Sequence, residues 1–283
     1  AKIIMMKLHT FSLSLATLLT ALVVACRPIP EKDRLIPNEV DHSKGRSVLI
    51  EDYSGVGCVN CPIAAKAITE AASAHGNKVV IVALHGSNTQ IGTRPKEDPK
   101  GLYHADAATY LERLQAGGSL PIATFNRRPL ASNGRKTFSP MATKWAAEMQ
   151  AIRELPQLYK LELQVSKQDR KISVQCSASA LDLSEELSAS LKEHQLYIQL
   201  WLVEDHIVAP QHLKKGLDKG YEHNHIFRQA LNGIDGEPYD LGKTYNHTGT
   251  IDRDVIQLEH CAVVAILYDH KTGEVYEVLK KTL

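Results

Sequence analysis

The chain has 283 residues, of which 43% are hydrophobic and 23% are charged. A chain of this size is long enough to bury two cores of ordinary size, so we expect two domains. Thirty-three basic residues almost balance 32 acidic residues, which excludes a strongly basic nucleic-acid-binding protein and any general attraction to an acidic membrane surface.

The N-terminal segment has the layout of an export signal. Lys7 is followed by the mostly apolar run 8–25, and small residues lead into Cys26. This pattern resembles the bacterial lipobox, in which the cysteine is lipidated and becomes the first mature residue. We therefore predict a signal peptide over residues 1–25 and lipidation of Cys26. The alternative is a transmembrane anchor, because the apolar run approaches the length that spans a bilayer.

Residues 26–46 are rich in proline and charge, which is typical of an extended tether. From residue 47 onward, strand and helix patterns alternate. Short apolar runs predict strands, and apolar residues at helical spacing predict helices. The strands are expected at 47–54, 78–84 and 122–125, and the helices at 63–75, 103–115 and 139–154. The second run is β-branched and apolar throughout, which favours a strand of a buried parallel sheet. We predict one α/β domain over residues 47–155.

A pair of cysteines, Cys58 and Cys61, lies between the first strand and the first helix. Free N–H groups and the helix dipole stabilise a thiolate at a helix N-terminus, so Cys58 is predicted to attack and Cys61 to resolve. A static disulfide is the alternative, because disulfides persist in exported proteins. A zinc site would need a second pair of ligands nearby. We see none in this domain and predict no metal.

These elements together resemble the thioredoxin fold. The resemblance implies that Asp52, six positions before Cys58, accepts a proton from Cys61. It also implies that Pro121 is a cis proline that packs beside the disulfide and shapes a substrate groove. The chain departs from catalytic members at Gly57, where they usually carry an aromatic residue. Thiol-disulfide exchange and a static disulfide therefore both stay open.

The second half is dominated by strand patterns. Alternating or β-rich runs predict strands at 158–165, 171–177, 196–203 and 262–269. A mainly-β domain of the immunoglobulin-like sandwich type is expected over residues 156–283. Cys176 and Cys261 both face inward in these patterns, so they either form an inter-sheet bridge or remain two buried thiols.

Two histidines, His223 and His225, are spaced to share one face of a strand. A metal site is one interpretation, but no third ligand is placed by the sequence. An ordinary polar strand edge is the interpretation that we favour.

The lipobox, the tether, the Gly-x-x-Cys-x-x-Cys-Pro site and the β-rich half with its Tyr-x-His-Asn-His segment together resemble one family. It is the outer-membrane lipoprotein family of about twenty-eight kilodaltons from Gram-negative anaerobes. The resemblance implies a lipid-anchored outer-membrane protein, on the periplasmic or the surface-exposed face, that acts as an adhesin or receptor for an unknown protein or glycan. From the residues themselves we predict no cofactor and no nucleic-acid partner. Envelope thiol-disulfide exchange at Cys58 and Cys61 is the alternative hypothesis.

Overall fold

The computed structural model describes residues 45–251 and 253–283. The predicted signal peptide, Cys26 and nearly all of the predicted tether lie outside these residues. Arg46, the last residue of the predicted tether, is buried and pairs with Glu274 at 2.5 Å. Arg46 therefore belongs to the folded body, whereas the tether over the residues before it stays a prediction. Within the described part of the chain, no helix is both long and apolar enough to cross a membrane.

The described chain is mainly β-structure with a few short helices. The helices are α1 (Cys61–Ser73), α2 (Ala105–Arg113), α3 (Trp145–Arg153) and α4 (Glu185–Leu191). The strands of the first half are β1 (Val48–Tyr53), β2 (Val79–Leu84), β3 (Ile122–Phe125) and β4 (Phe138–Ser139). The strands of the second half are β5 (Tyr159–Gln168), β6 (Lys171–Ala180), β7 (Leu196–Glu204), β8 (Ile207–Val208), β9 (Gln211–Leu213), β10 (Gly216–Asp218), β11 (Glu222–His223), β12 (Ile226–Ala230), β13 (Glu237–Pro238), β14 (Thr244–Thr250), β15 (Cys261–Asp269) and β16 (Val275–Thr282).

A mixed sheet forms the centre of the molecule. Among the described residues it has nine strands, in the order β16-β15-β7-β12-β2-β1-β3-β4, with β13 paired to β7. β1 and β2 run parallel, as the buried apolar pattern of β2 predicts, and β3 lies antiparallel to β1. β1 is buried along its whole length because helix α1 and the α2 segment cover its two faces.

Strands from both sides of the predicted boundary at residue 155 share this sheet. β12 pairs in parallel with β2 at Ile226 and Ala83, and antiparallel with β7. The described residues also belong to one compact unit. The boundary therefore does not divide the sheet, and independent folding of the two segments stays a prediction.

A second β layer covers one face of the sheet in the second half. The strands β14, β6 and β5 form an antiparallel sheet, and its inward residues pack on β7 and β15 in one apolar cluster. The prediction of a β-rich second half is confirmed. The expected separate immunoglobulin-like sandwich needs correction, because the larger layer continues through β12 into the first half.

Cys176 and Cys261 are both free, buried thiols. They lie in the same apolar cluster, on β6 and at the start of β15 respectively. Burial raises the pKa of each thiol to about 12, so neither is a ready nucleophile. Of the two alternatives, the structure contains two buried thiols and no bridge between them.

Candidate functional site

A cleft of about 510 Å³ lies beside the predicted cysteine pair. Its walls come from α1, from the carboxyl ends of β1 and β2, and from the segment 205–226. Because the carboxyl ends of parallel strands meet at one edge of a sheet, Asp52 near the end of β1 and His85 just after β2 face the same space. Small-molecule sites in mixed and parallel sheets favour such edges.

Cys58 and Cys61 form a disulfide with a Cα–Cα distance of 5.4 Å. Helix α1 begins at Cys61, and Pro62 occupies its first turn, where its missing N–H costs nothing. The exposed fractions of the two residues are only 4% and 1%. Cys61 lines the cleft, whereas Cys58 does not.

The loop after β2 packs against the residue before Cys58 and forms one part of a cover around the cysteine pair. Gly57 N–H donates to the carbonyl of Gly92 at 3.1 Å. A Cβ at position 57 would collide with the backbone carbonyl oxygen of Gln90. The close approach of this loop therefore explains the glycine at the position where thioredoxin-like enzymes usually carry an aromatic residue.

Strand β9 forms the other part of this cover by binding the backbone around Cys58. The Gln211 side-chain amide donates to the carbonyls of Gly55 and Cys58, both at 3.2 Å. The N–H of His212 donates to the carbonyl of Val56 at 2.7 Å. The residues around Cys58 are therefore held by a strand from the second half of the chain.

Asp52 is buried beside the cleft, with 1% of its surface exposed. Burial raises the pKa of its carboxyl group to about 7. Among the described residues, its Oδ1 atom has no hydrogen-bond partner. A buried polar atom without a partner is costly unless a ligand, water or proton satisfies it.

Two buried histidines lie opposite each other on the cleft wall. The rings of His85 and His223 are 5.7 Å apart in an edge-on arrangement, and His85 Nδ1 contacts the Thr93 hydroxyl at 2.6 Å. Burial lowers the pKa of His85 to about 3 and that of His223 to about 4. Both rings are therefore neutral, and His223 Nε2 has no partner in the described structure.

His225 does not share a strand face with His223, contrary to the prediction. It follows the end of β11 with a left-handed backbone (φ 62°), and its Nδ1 lies 2.8 Å from Asp205 Oδ1. Lys280 Nζ lies 2.9 Å from the other oxygen of Asp205. No group of three or more His, Cys, Asp or Glu side chains in the described ranges is placed to hold a metal ion.

Pro121 follows a cis peptide bond, as the resemblance to thioredoxin implies. It precedes β3, whose Ile122 pairs with Tyr53 of β1. Asp52 and Cys61 are part of the cleft wall, whereas Pro121 is not. The structure thus brings two of the four predicted site residues to the cleft directly.

Sequence reasoning missed His85 and Gln211. A signal for His85 existed, because it directly follows a predicted parallel strand, the place where site residues concentrate. No local signal pointed to Gln211, because its role depends on a contact 153 residues away.

Comparisons with known proteins place the chain among outer-membrane proteins. The sequence model of a family described as Outer membrane protein Omp28 matches residues 109–283. Among curated proteins, none matches the chain.

Several solved structures are similar to the chain. HBP35 of Porphyromonas gingivalis is 12% identical, with 85% of this chain and 76% of that chain covered and a TM-score of 0.63. A protein from Agrobacterium tumefaciens is 11% identical, with coverages of 84% and 95% and a TM-score of 0.51. A domain of the outer membrane lipoprotein Omp28 from P. gingivalis is 24% identical, with coverages of 44% and 87% and a TM-score of 0.33. The first two share their fold with this chain.

Proposed function

This chain belongs to the Omp28 outer membrane protein family, and from that premise we propose that it is a lipid-anchored adhesin or receptor. The family locates the protein at the outer membrane. The lipobox-like sequence before Cys26 supports attachment through a lipid on that residue. A soluble body held close to the membrane by one lipidated end is suited to capturing a ligand.

We further propose that residues 47–155 descend from a thioredoxin-like domain that now serves binding. Three features support this view: the parallel β1 and β2 with α1 between them, the antiparallel β3 after a cis proline, and Asp52 beside Cys61. In this proposal the thioredoxin-like segment supplies one wall of the cleft, and residues 205–226 of the β-rich half supply the opposite wall.

The observation that carries the binding function is the contrast between the covered disulfide and the open cleft. Cys58 and Cys61 are almost fully buried under two segments, which keeps a protein substrate away from the sulfur atoms. The adjoining cleft, in contrast, holds two buried polar atoms, on Asp52 and His223, that have no partner within the described chain. A ligand that satisfies these atoms would gain the hydrogen bonds that the free protein lacks.

Thiol-disulfide exchange is the second candidate function. The observation that favours it is that Asp52, with its pKa near 7, shares the cleft with Cys61. A carboxyl group of this kind can take up the proton of a resolving thiol at neutral pH.

The reduction potential of the cysteine pair distinguishes the two candidates. We expect a value below about −300 mV, as for structural disulfides. The protein is equilibrated in redox buffers, free thiols are trapped, and peptides that contain Cys58 and Cys61 are quantified by mass spectrometry. A value of roughly −120 to −270 mV would instead support exchange.

A matched pair of variants tests the role of the cover. Gln211→Ala removes the amide that binds the carbonyls of Gly55 and Cys58, so reduction by dithiothreitol should be faster by about fivefold for each net hydrogen bond of about 1 kcal/mol. Gln164→Ala, at an exposed position on β5, should leave the rate unchanged. Equal rates in both variants would show that β9 does not protect the disulfide.

Surface exposure is tested by adding trypsin to intact cells. Lys214 and Lys215 are exposed in the turn between β9 and β10, so we expect cleavage there if the protein faces the exterior. Permeabilised cells serve as the control, because both membrane faces are then accessible. Cleavage only after permeabilisation would rule out the adhesin.

A further inference from the structure

A second cavity, of about 400 Å³, lies on the opposite face of β1 from the cleft. Successive side chains of a strand point to opposite faces of the sheet. Asp52 and Ser54 accordingly face the cleft, whereas Glu51 and Tyr53 line the second cavity. Its volume is in the range of small-molecule sites, about 300 to 1,000 Å³.

Arg127 is the central polar group of this cavity. Its guanidinium carbon lies 5.5 Å from the ring centre of Trp201 and 5.3 Å from that of Tyr268. Its Nε donates to Glu51 at 2.9 Å, and its Nη2 donates to Gln199 at 2.8 Å. Aromatic and carboxylate contacts therefore fix the guanidinium, which leaves Nη1 as its open end.

The hydrogen-bond acceptors of the cavity are already in use. Glu51 accepts from Arg127 and from the Thr124 hydroxyl. Gln199 Oε1 accepts from Arg127, and both oxygens of Asp235 accept from Arg113. The carboxylates and the amide oxygen that line the cavity therefore offer little to a ligand that donates hydrogen bonds.

Hydrogen-bond donors, in contrast, are left over. The two N–H groups on Nη1 of Arg127 have no partner among the described residues. Tyr53 lines the same cavity, and among the described residues no hydrogen-bond partner is found for its hydroxyl. These unpaired donors therefore match a ligand that carries an oxygen acceptor. A negatively charged oxygen is the better acceptor, because it makes stronger hydrogen bonds with a guanidinium group than a neutral oxygen does.

The charge balance disfavours a ligand with more than one negative charge. Arg127 is already paired with Glu51, and Arg113 is paired with Asp235. The cavity therefore has no surplus of positive charge to hold a dianion, whereas one carboxylate can still accept from Nη1 and the Tyr53 hydroxyl.

We propose that this second cavity, here termed the Arg127 cavity, binds a small organic carboxylate through Arg127 Nη1 and the Tyr53 hydroxyl. The site is separate from the cleft beside the disulfide, and the proposal stands whether or not the cleft binds a ligand. The Arg127 cavity and the cleft lie on opposite faces of β1.

The test uses isothermal titration calorimetry of the intact protein with three probes. D-glucuronate presents a sugar ring with one carboxylate, D-glucose lacks the charge, and inorganic phosphate is largely a dianion above neutral pH. We expect saturable binding of glucuronate, with glucose and phosphate each weaker by at least about tenfold. Absent glucuronate binding, or equal binding of phosphate, would overturn the proposal.

Variants locate the binding within the cavity. Arg127→Lys keeps a cation beside Glu51 but removes Nη1, so glucuronate should bind at least about tenfold more weakly. Tyr53→Phe removes only a hydroxyl and should weaken binding about fivefold. Tyr103→Phe removes a hydroxyl outside the cavity and should change nothing. Should Arg127→Lys fail to fold, the comparison of Tyr53→Phe with Tyr103→Phe decides, and equal affinities would overturn the assignment.

Discussion

Replacing Asp52 with asparagine is expected to raise the free energy of unfolding by about 4 kcal/mol at pH 8 and by less than about 1 kcal/mol at pH 4. Burial raises the pKa of Asp52 from 3.8 to about 7, and each pKa unit corresponds to about 1.4 kcal/mol. The folded protein holds the proton up to about pH 7, whereas the unfolded chain releases it near pH 4.

The wild-type protein should therefore lose stability as the pH rises from about 4 to 7, and the loss should level off above pH 7. Asparagine carries no titratable proton, so its contribution stays constant over this range. Urea unfolding at a series of pH values measures the difference. Asp169→Asn, at an exposed turn position, is the matched control and should track the wild type. A parallel shift of Asp52→Asn at every pH would contradict the burial of an unpaired carboxylate.

Replacing Arg228 with methionine is expected to lower the free energy of unfolding by about 3 to 5 kcal/mol, the usual cost of leaving one partner of a buried ion pair alone. Arg228 Nε lies 3.0 Å from Glu204 Oε2, and both side chains are almost fully buried. Burial lowers the pKa of Arg228 and raises that of Glu204. Without the arginine, Glu204 would be a buried carboxylate with no counter-ion.

Two further variants make this prediction specific. The double variant Arg228→Met with Glu204→Met should recover most of the lost stability, because two apolar side chains can replace a buried pair at little cost. Arg253→Met is the control, since Arg253 donates to the same Gly101 carbonyl as Arg228 but is only half-buried. We expect Arg253→Met to cost less than about 1 kcal/mol. Chemical denaturation measures the free energy of unfolding of all three variants, provided that the dependence of this free energy on denaturant concentration is the same in each.

The strands of the sheet centre were predictable because most of their residues are apolar and buried. β1 begins with an apolar run, and β2 and β3 are largely apolar; such runs need no partner information to be recognised. The start of α3 was predicted too early. Ser139 belongs to the short strand β4, and the Trp145 indole donates to its carbonyl, so the helix begins only at Trp145.

The segment that closes the cleft was not predictable by periodicity. Its strands β8, β9, β10 and β11 have only two or three residues each, too few to show an alternating pattern. Side chains hold this segment instead: Asn224 accepts from His206 N–H, and Asp205 accepts from His225 N–H. Such contacts join residues that become neighbours only when the chain has folded, so no local sequence pattern predicts them.

The shared sheet was equally hidden from sequence reasoning. Local patterns predict which residues form strands but not which strands become neighbours. The insertion of β12 between β7 and β2 depends on a single residue pair with β2. The sequence left exchange and a static disulfide open as alternatives for the cysteine pair, because the choice depends on a cover that forms through distant contacts.

The cover over the disulfide also imposes an order of events during biogenesis. Cys58 precedes Gln211 by 153 residues in the chain, so a chain that is exported from its N-terminus presents Cys58 before β9 can cover it. During that interval the two thiols are open to the oxidising catalysts of the envelope. Once β9 has docked, the same catalysts meet a closed surface. We therefore expect oxidation of this pair to be an early step of maturation, completed before β9 docks.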